Sequence, residues 1–408
     1  MDSPTDHCPV NPLEYARSVL LSSDPDVGML RDALCESLGL SVQAATGFIY
    51  ESVLNINSQS FPPLNQLELV HTEGCNLACE YCFEKDMLGY RKMPPDVAVA
   101  AIDLLLDYSG DEKVLQVTHF GGEPTLNFAG VRYATQYAES KAAQAGKTVK
   151  FDMTTNGVRI NEEIAGYCAE HEIMVLLSID GLRGAHDRFR LDRRGRGTFD
   201  RSLKAMRLLK TFQPWIGVKM TIMPENVGTL FEDAVGLYEL GVNQFLIGHA
   251  TGVPWSDEQI SEYGAQLSRL YLWYKDGGRD DLVIQEFDEE ETDAFFGCQA
   301  GRSSIAVTVD GEISPCSKIM GFSSTRLVSK LGDVWNGLTH IRNRMDIVGC
   351  EKLESACAER GVADEFRGGC FAVNYGESGD IFTPSMQEHA FSMTIRSACS
   401  GCSARRGT

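Results

Sequence analysis

Thirteen cysteines in a chain of 408 residues fall into two groups and a scatter. Cys75, Cys79 and Cys82 stand in LELVHTEGCNLACEYCFEKD as C-x3-C-x2-C, directly after a short apolar run. A structural zinc site wants four ligands, commonly two C-x2-C pairs; this loop offers three thiols and no fourth Cys or His beside them. Three thiolates can hold three irons of a [4Fe–4S] cube and leave the fourth iron open to a small chelating ligand. A zinc or redox CxxC loop is the other reading of the same spacing. The second group, Cys298, Cys316, Cys350, Cys357, Cys370, Cys399 and Cys402, crowds the last quarter of the chain. Cys8, Cys35 and Cys168 stand alone and read as small buried apolar residues.

The setting of these thiols follows from composition. Lys plus Arg total 37 against 57 Asp plus Glu, a net charge of −20, which argues against broad binding to nucleic-acid phosphates. No stretch approaches the roughly 18 uninterrupted apolar residues of a membrane span. The N-terminal segment MDSPTDHCPVNPLEYARSVLLSSD has acids where a signal peptide carries its basic part. A cytoplasmic location with neither nucleic-acid nor membrane partners is expected, and in a reducing compartment clustered thiols are better metal ligands than disulfides.

Positioning such a loop needs a scaffold, and the periodicities supply one. Residues 1–63 read as helices, closed by the polar, proline-bearing stretch NSQSFPPLN at 57–65. Across 64–285, the apolar runs LELVH, VLQVTHF, VKFDMTT, IMVLLSI, WIGVKMTIM and QFLIG alternate with helical patterns. Strands alternating with helices imply a parallel sheet with right-handed crossovers. Six such units in about 190 residues are too few for the eight-unit barrel of about 250, so the spacing predicts an α/β fold, an open (β/α)6 partial barrel, with function at the C-terminal strand ends. From 286 to 408 the texture changes. EFDEEETD (286–293) reads as a solvated connection, and IAVTVDGEISPC (305–316) as two strands around the turn Asp310-Gly311. The rest reads as irregular, rich in Gly and Cys, and stapled by metal clusters rather than by a core of its own.

Taken together, the C-x3-C-x2-C loop, Tyr81 just before its third cysteine and the GGEP stretch Gly121-Gly122-Glu123-Pro124 at the second strand's end resemble the radical S-adenosylmethionine enzymes. The resemblance implies S-adenosylmethionine chelated by the open iron of a [4Fe–4S] cluster and cleaved to a 5′-deoxyadenosyl radical that abstracts a hydrogen atom. It implies that Tyr81 packs on the adenine, that Gly121, Gly122 and Glu123 receive the methionyl amine, that Ser178 makes a polar contact, and that Arg190 pairs with the methionyl carboxylate. A solvated salt bridge is the other reading of Arg190, and His119 reads as a packed strand residue. Gly122→Val is expected to damage cofactor binding more than folding. No catalytic base is identified.

Cys298-Gln-Ala-Gly, the hairpin ending at Cys316, and Arg367-Gly368-Gly369-Cys370 followed by Asn374-Tyr375 resemble a SPASM domain, which implies one or two auxiliary [4Fe–4S] clusters, two favoured. By that resemblance Cys298, Cys316 and Cys370 hold the first cluster, nearer the barrel, with one iron open or bound by a non-cysteine ligand. Cys350, Cys357, Cys399 and Cys402 close the second. The sequence departs from the family pattern where Arg360 and Phe366 replace two inner cysteines and where an early cysteine is absent near Ser303 and Ser304. The resemblance extends to SPASM enzymes that mature ribosomal peptides. It implies a precursor-peptide substrate, a one-electron donor such as flavodoxin or ferredoxin, and a thioether or carbon-linked crosslink formed by net two-electron oxidation. A formylglycine-generating oxidase like the anaerobic sulfatase maturases is the alternative.

Overall fold

Short runs in which every second residue is apolar become strands because one face can be buried while the other lines an interior. In β2 (Val114–Phe120) Leu115, Val117 and His119 are buried against helices, while Gln116, Thr118 and Phe120 point the other way. A computed structural model describes residues 12–22, 24–288, 298–322, 326–362, 366 and 368–400; Cys8, Arg367, Cys402 and most of the EFDEEETD block lie outside the described residues.

The strands β1 (Gln66–Val70), β2, β3 (Thr148–Thr155), β4 (Ile173–Ser178), β5 (Gly217–Ile222) and β6 (Gln244–His249) pair in parallel and in chain order. Helices on one side carry each crossover; Pro95–Tyr108, the first, begins on a proline that needs no N–H and buries Val97, Ala101, Leu104, Leu105 and Tyr108 at helical spacing. The expected open α/β partial barrel is therefore present. It is wider than six strands. A two-residue β7 (Val283–Ile284) pairs with β6, and β8 (Ser304–Val307) pairs in parallel with β1 on the opposite edge. The hairpin β8–β9 (Glu312–Ser314) turns at Asp310-Gly311 as its sequence predicts, and β10 (Gly332–Asp333) completes an open ten-stranded sheet. A two-residue strand has no period to read, and an edge pairing between residues 66 and 304 is invisible to any local pattern.

The C-terminal quarter is more regular than expected. It contains the helices Ile341–Gly349, Glu351–Glu359, Phe371–Ser378 and Met386–Ser400. Buried Arg344 ties this quarter to the N-terminal helix Val42–Ser60: its guanidinium donates to Asn57 Oδ1 (2.8 Å), the Gly301 carbonyl (3.1 Å), and the Pro62 (3.1 Å) and Arg302 (2.8 Å) carbonyls. Leaving such buried acceptors unpaired costs about 1–3 kcal/mol each, so Arg344 fixes both chain ends against β8.

Candidate active site

At the C-terminal strand ends, backbone meets backbone before any ligand is considered. Gly122 N–H donates to the Thr72 carbonyl (3.0 Å) and Glu123 N–H to the Gly74 carbonyl (2.8 Å), so the GGEP turn seats the entrance of the cysteine loop. A Cβ on Gly122 would lie 2.5 Å from the Gly74 carbonyl oxygen, and one on Gly121, at φ +113°, 2.5 Å from that of Thr72. The glycines are required by the loop that carries Cys75, and this changes the expected effect of Gly122→Val from a cofactor defect to a loop defect. Glu123 is turned into the fold: Oε1 accepts from Thr125 N–H (3.1 Å) and Thr155 O–H (2.7 Å), and Oε2 from Asn156 N–H (2.8 Å). Burial pushes its carboxyl up, and these donors oppose the shift.

A second brace comes from the segment after β4. Ala78 N–H donates to the Leu191 carbonyl (2.8 Å), Glu80 N–H to that of Phe189 (3.2 Å), and Arg193 Nε to that of Cys75 (2.8 Å). Asn156 Nδ2 donates to Asn76 Oδ1 (2.8 Å), which ties the loop to the end of β3. Asp180, fully buried at the end of β4, accepts from Arg190 Nε (2.8 Å), from Thr221 N–H (2.9 Å) and from the Tyr81 hydroxyl. Arg190 lies 5.3 Å from the Tyr81 ring centroid, and its Nη1 is 3.8 Å from Cys79 Sγ. Arg190 is thus a buried positioning ion pair rather than a solvated one. Asp180 is the residue that sequence reasoning missed; it sits in the SIDG stretch, but nothing local reveals that Tyr81 and Arg190 converge on it.

Cys75, Cys79, Cys82, Tyr81, Gly122 and Arg190 all line one cavity of about 350 Å³, together with Gly121, Glu123 and Ser178. The same cavity is lined by Lys219 and Thr221 of β5, His249 at the end of β6, and Lys318 from the C-terminal quarter. His119 is elsewhere. Its ring stacks on Phe151, its Nδ1 pairs with His71 Nε2 (2.8 Å) and its Nε2 with Thr135 Oγ1 (3.0 Å), as a packed strand residue should.

Burial pushes the Cys75 thiol up to about 12 and that of Cys82 up to about 11; Cys79 is also raised by burial, with Arg190 opposing the shift. Such thiols ionise only when a cation takes the proton's place. Among the described residues, no three His, Cys, Asp or Glu side chains converge as ligands of one metal ion. A cube, whose corners take one thiolate each, suits three thiols spread around one cavity.

The chain matches the Radical SAM superfamily over residues 69–234. These residues form a radical SAM domain. The domain begins within β1, ends in the helix after β5, and contains every brace of the cysteine loop described above. The cysteine-type anaerobic sulfatase-maturating enzyme of Clostridium novyi (strain NT) is 24% identical over 269 residues, 60% of this chain and 71% of that protein. The mycofactocin maturase MftC of Mycolicibacterium smegmatis is 27% identical over 327 residues, 74% of this chain and 77% of its own length. In shape, the chain is similar to native anSMEcpe with bound AdoMet and the Cp18Cys peptide, with a TM-score of 0.66 at 18% identity over 85% of this chain and 98% of that one.

Beyond the radical SAM domain, the C-terminal thiols divide. Burial raises both Cys298, to about 11, and Cys316; Cys370 acts on each, and Cys298 also faces Arg302 and Cys350. Glu68 of β1 accepts from Ser317 N–H (3.0 Å) and Oγ (2.9 Å), which holds Cys316 against the barrel. Cys350 is buried at the joint of two helices with φ +60°, a left-handed conformation costly for any residue but glycine. Burial also raises Cys357 and Cys399. The charge acting on Cys357 is Glu354, and those acting on Cys399 are Glu286 and Lys275. No helix among the described residues is long and apolar enough to cross a membrane.

Proposed function

We propose that this chain is a radical SAM maturase of a ribosomally made peptide, which abstracts a substrate hydrogen atom and forms an intramolecular thioether or carbon-linked crosslink by net two-electron oxidation. The observation that carries the reading is the cavity. Its cysteine wall continues past Tyr81, Cys82 and Lys318 into an outer cavity of about 500 Å³ bounded by Val253, Phe322, Val373 and Gln387. A passage of that extent suits a segment of polypeptide better than a small metabolite. The likeness to maturases that act on peptides and proteins supports the same class.

In this reading Cys75, Cys79 and Cys82 hold the [4Fe–4S] cluster that binds S-adenosylmethionine. When bound, the cofactor supplies a primary carbon radical able to remove hydrogen from an unactivated carbon. The residues' part is orientation. Tyr81, held by Asp180, offers its ring to the adenine, while Arg190, fixed at Nε and with Nη1 beside Cys79, keeps Nη2 for the methionyl carboxylate. Phe83 and Phe120, with ring centroids 6.2 Å apart, help exclude water from the cavity.

Cys298, Cys316 and Cys370 hold an auxiliary cluster of the SPASM type, with Cys350 as its fourth thiolate. A second cluster on Cys357, Cys399 and neighbouring thiols is the competing count. Residues 1–63, 64–285 and 286–408 are proposed as the N-terminal extension, the barrel and the auxiliary region of a cytoplasmic enzyme fed by flavodoxin or ferredoxin.

The test is anaerobic turnover of the reduced protein with S-adenosylmethionine and a candidate peptide, ideally one encoded beside its gene. Formation of 5′-deoxyadenosine and a peptide lighter by two hydrogen atoms per crosslink supports the proposal. The likeness to a sulfatase-maturating enzyme favours one competitor, oxidation of a Cys or Ser side chain to formylglycine. A product that reacts with an aldehyde-specific hydrazide would assign the chain to that chemistry instead.

A further inference from the structure

Two cations in this cavity have no use in the scheme above. Lys219 stands on β5 in register with Ser178, its neighbours Val218 and Met220 fully buried on the opposite face. Its side chain runs inward beneath β6, where a Cβ on Gly248 would come within 3.4 Å of Nζ. Lys318 enters from the C-terminal quarter and lines both the inner and the outer cavity. Neither ammonium makes a hydrogen bond or ion pair with another side chain among the described residues. A charge shielded from water and left without a partner is costly, and a fold keeps such a group where a ligand completes it.

The carboxylates whose charges reach this pair also hold other groups, and buried Glu84 lines the same cavity. Glu286, whose charge acts on Lys219, accepts the Ile247 N–H at Oε1 (2.6 Å). Glu388, which faces Lys318, accepts from His249 Nε2 (2.9 Å), and that imidazole is stacked on Phe391 at 3.7 Å. Asp180 is held by Tyr81, Arg190 and Thr221. Burial pushes the Lys219 amine down; Glu286 opposes this and Lys318 reinforces it, so an arriving anion would stabilise the charge. In a chain with a net charge of −20, two cations gathered in one cavity also run against the surrounding potential.

We infer that Lys219 and Lys318 form a subsite for a carboxylate of the peptide substrate, either an Asp or Glu side chain or the C-terminal carboxylate. The inference rests on the peptide-modifying reading above. Lys219 lines the inner cavity alone, and Lys318 lines both the inner and the outer one. An acidic group passing from the outer cavity meets Lys318 first and Lys219 at full depth. Anchored there, the adjoining residues of the peptide are held toward the wall formed by Tyr81, Gly122 and Arg190. The subsite therefore selects which residue is presented for hydrogen abstraction.

The test uses the full chain with its clusters reconstituted anaerobically, S-adenosylmethionine present, and three methoxycoumarin-labelled hexapeptides followed by fluorescence polarisation. The peptides share the sequence Gly-Ala-Val-X-Phe-Ala: X is Asp with an amidated C-terminus, Asn with a free C-terminus, or Asn with an amidated C-terminus. At least one acidic peptide should bind about ten-fold more tightly than the neutral one, the scale of one charge-assisted hydrogen bond, and the tighter of the two names the source of the carboxylate. Lys219→Met and Lys318→Met should each shrink that ratio and the double variant should remove it, with iron content and S-adenosylmethionine affinity unchanged. Equal affinities in the wild type, no binding of any peptide, or a preference that survives the double variant would overturn the inference. Loss of S-adenosylmethionine affinity in Lys219→Met with the peptide preference intact would also overturn it, by assigning the amine to the cofactor's own carboxylate. Production of 5′-deoxyadenosine by the wild type, measured on the same preparation, reports separately on the radical chemistry beneath it.

Discussion

The two groups of thiols are assembled by opposite means. Cys75, Cys79 and Cys82 lie within eight consecutive residues, and their loop is held at both flanks by backbone hydrogen bonds, to Gly122 and Glu123 on one side and to Phe189 and Leu191 on the other. Cys298, Cys316 and Cys370, the ligands proposed for one auxiliary cluster, come from a turn beside β8, the end of a hairpin and the start of a helix, and Cys350 from a strained helix joint. The first arrangement is local in sequence and needs a platform. The second exists only once the C-terminal quarter has docked on the barrel through Glu68 and Arg344.

The largest effects should follow that division. Cys75→Ala, Cys79→Ala and Cys82→Ala should each abolish 5′-deoxyadenosine formation, since losing one corner loses the site-differentiated cube outright. Cys370→Ser should leave 5′-deoxyadenosine formation in place and abolish the modified peptide. Wild-type cofactor cleavage by any of the three loop variants, measured by chromatography, would break the comparison at its first term.

Gly122→Val comes next. Because its new side chain meets the Gly74 backbone, iron in the first cluster and soluble yield should both fall. Full iron content with only S-adenosylmethionine affinity reduced would restore the simpler view that the glycine serves the cofactor directly.

Asp180→Asn probes the brace behind Tyr81. An amide can still accept from Thr221 N–H but leaves Arg190 without its buried counter-charge, and removing one partner of such a pair costs on the order of 3–5 kcal/mol. The melting temperature should fall, and the change that S-adenosylmethionine produces in the cluster's electron paramagnetic resonance signal should weaken, with iron content retained.

Iron analysis sharpens the second half of the comparison. One auxiliary cluster closed by Cys350 gives about eight irons per chain, and Cys350→Ser should lower that number or make four of the irons labile to chelators; about twelve would restore a second auxiliary cluster.

A pH dependence comes from buried imidazoles, in the barrel and, through His340, in the C-terminal quarter. Burial pushes His186 down to about 4 and His71 to about 3, from 6.5, so both are neutral in the fold. Their folded values are depressed, so the stability they contribute is complete above about pH 6.5 and declines as pH falls toward 4. Each should cost roughly 1.4 kcal/mol per pH unit within that window. Chemical denaturation between pH 7 and 4.5 should show the slope, and His186→Gln should remove one histidine's share of it.

Much of this was legible in the residues themselves. The cysteine loop, the GGEP turn and six alternating strand–helix units are local patterns, and a pattern of period two or 3.6 survives without knowledge of its neighbours. Arg190 and Tyr81 were legible as candidates, but not their meeting at Asp180, because residues 81, 180 and 190 are joined only when β4 lies beside the cysteine loop. Lys219, inside the strand GVKMTI, is not singled out by the sequence, and its place in the cavity is known only from the fold. The pairing of β8 with β1 and the strain at Cys350 were decided by tertiary structure. Side-chain type and spacing determine what chemistry a loop can do. Which distant groups share its cavity depends on how sheet edges and helix joints are closed, and that is set by packing over the whole chain.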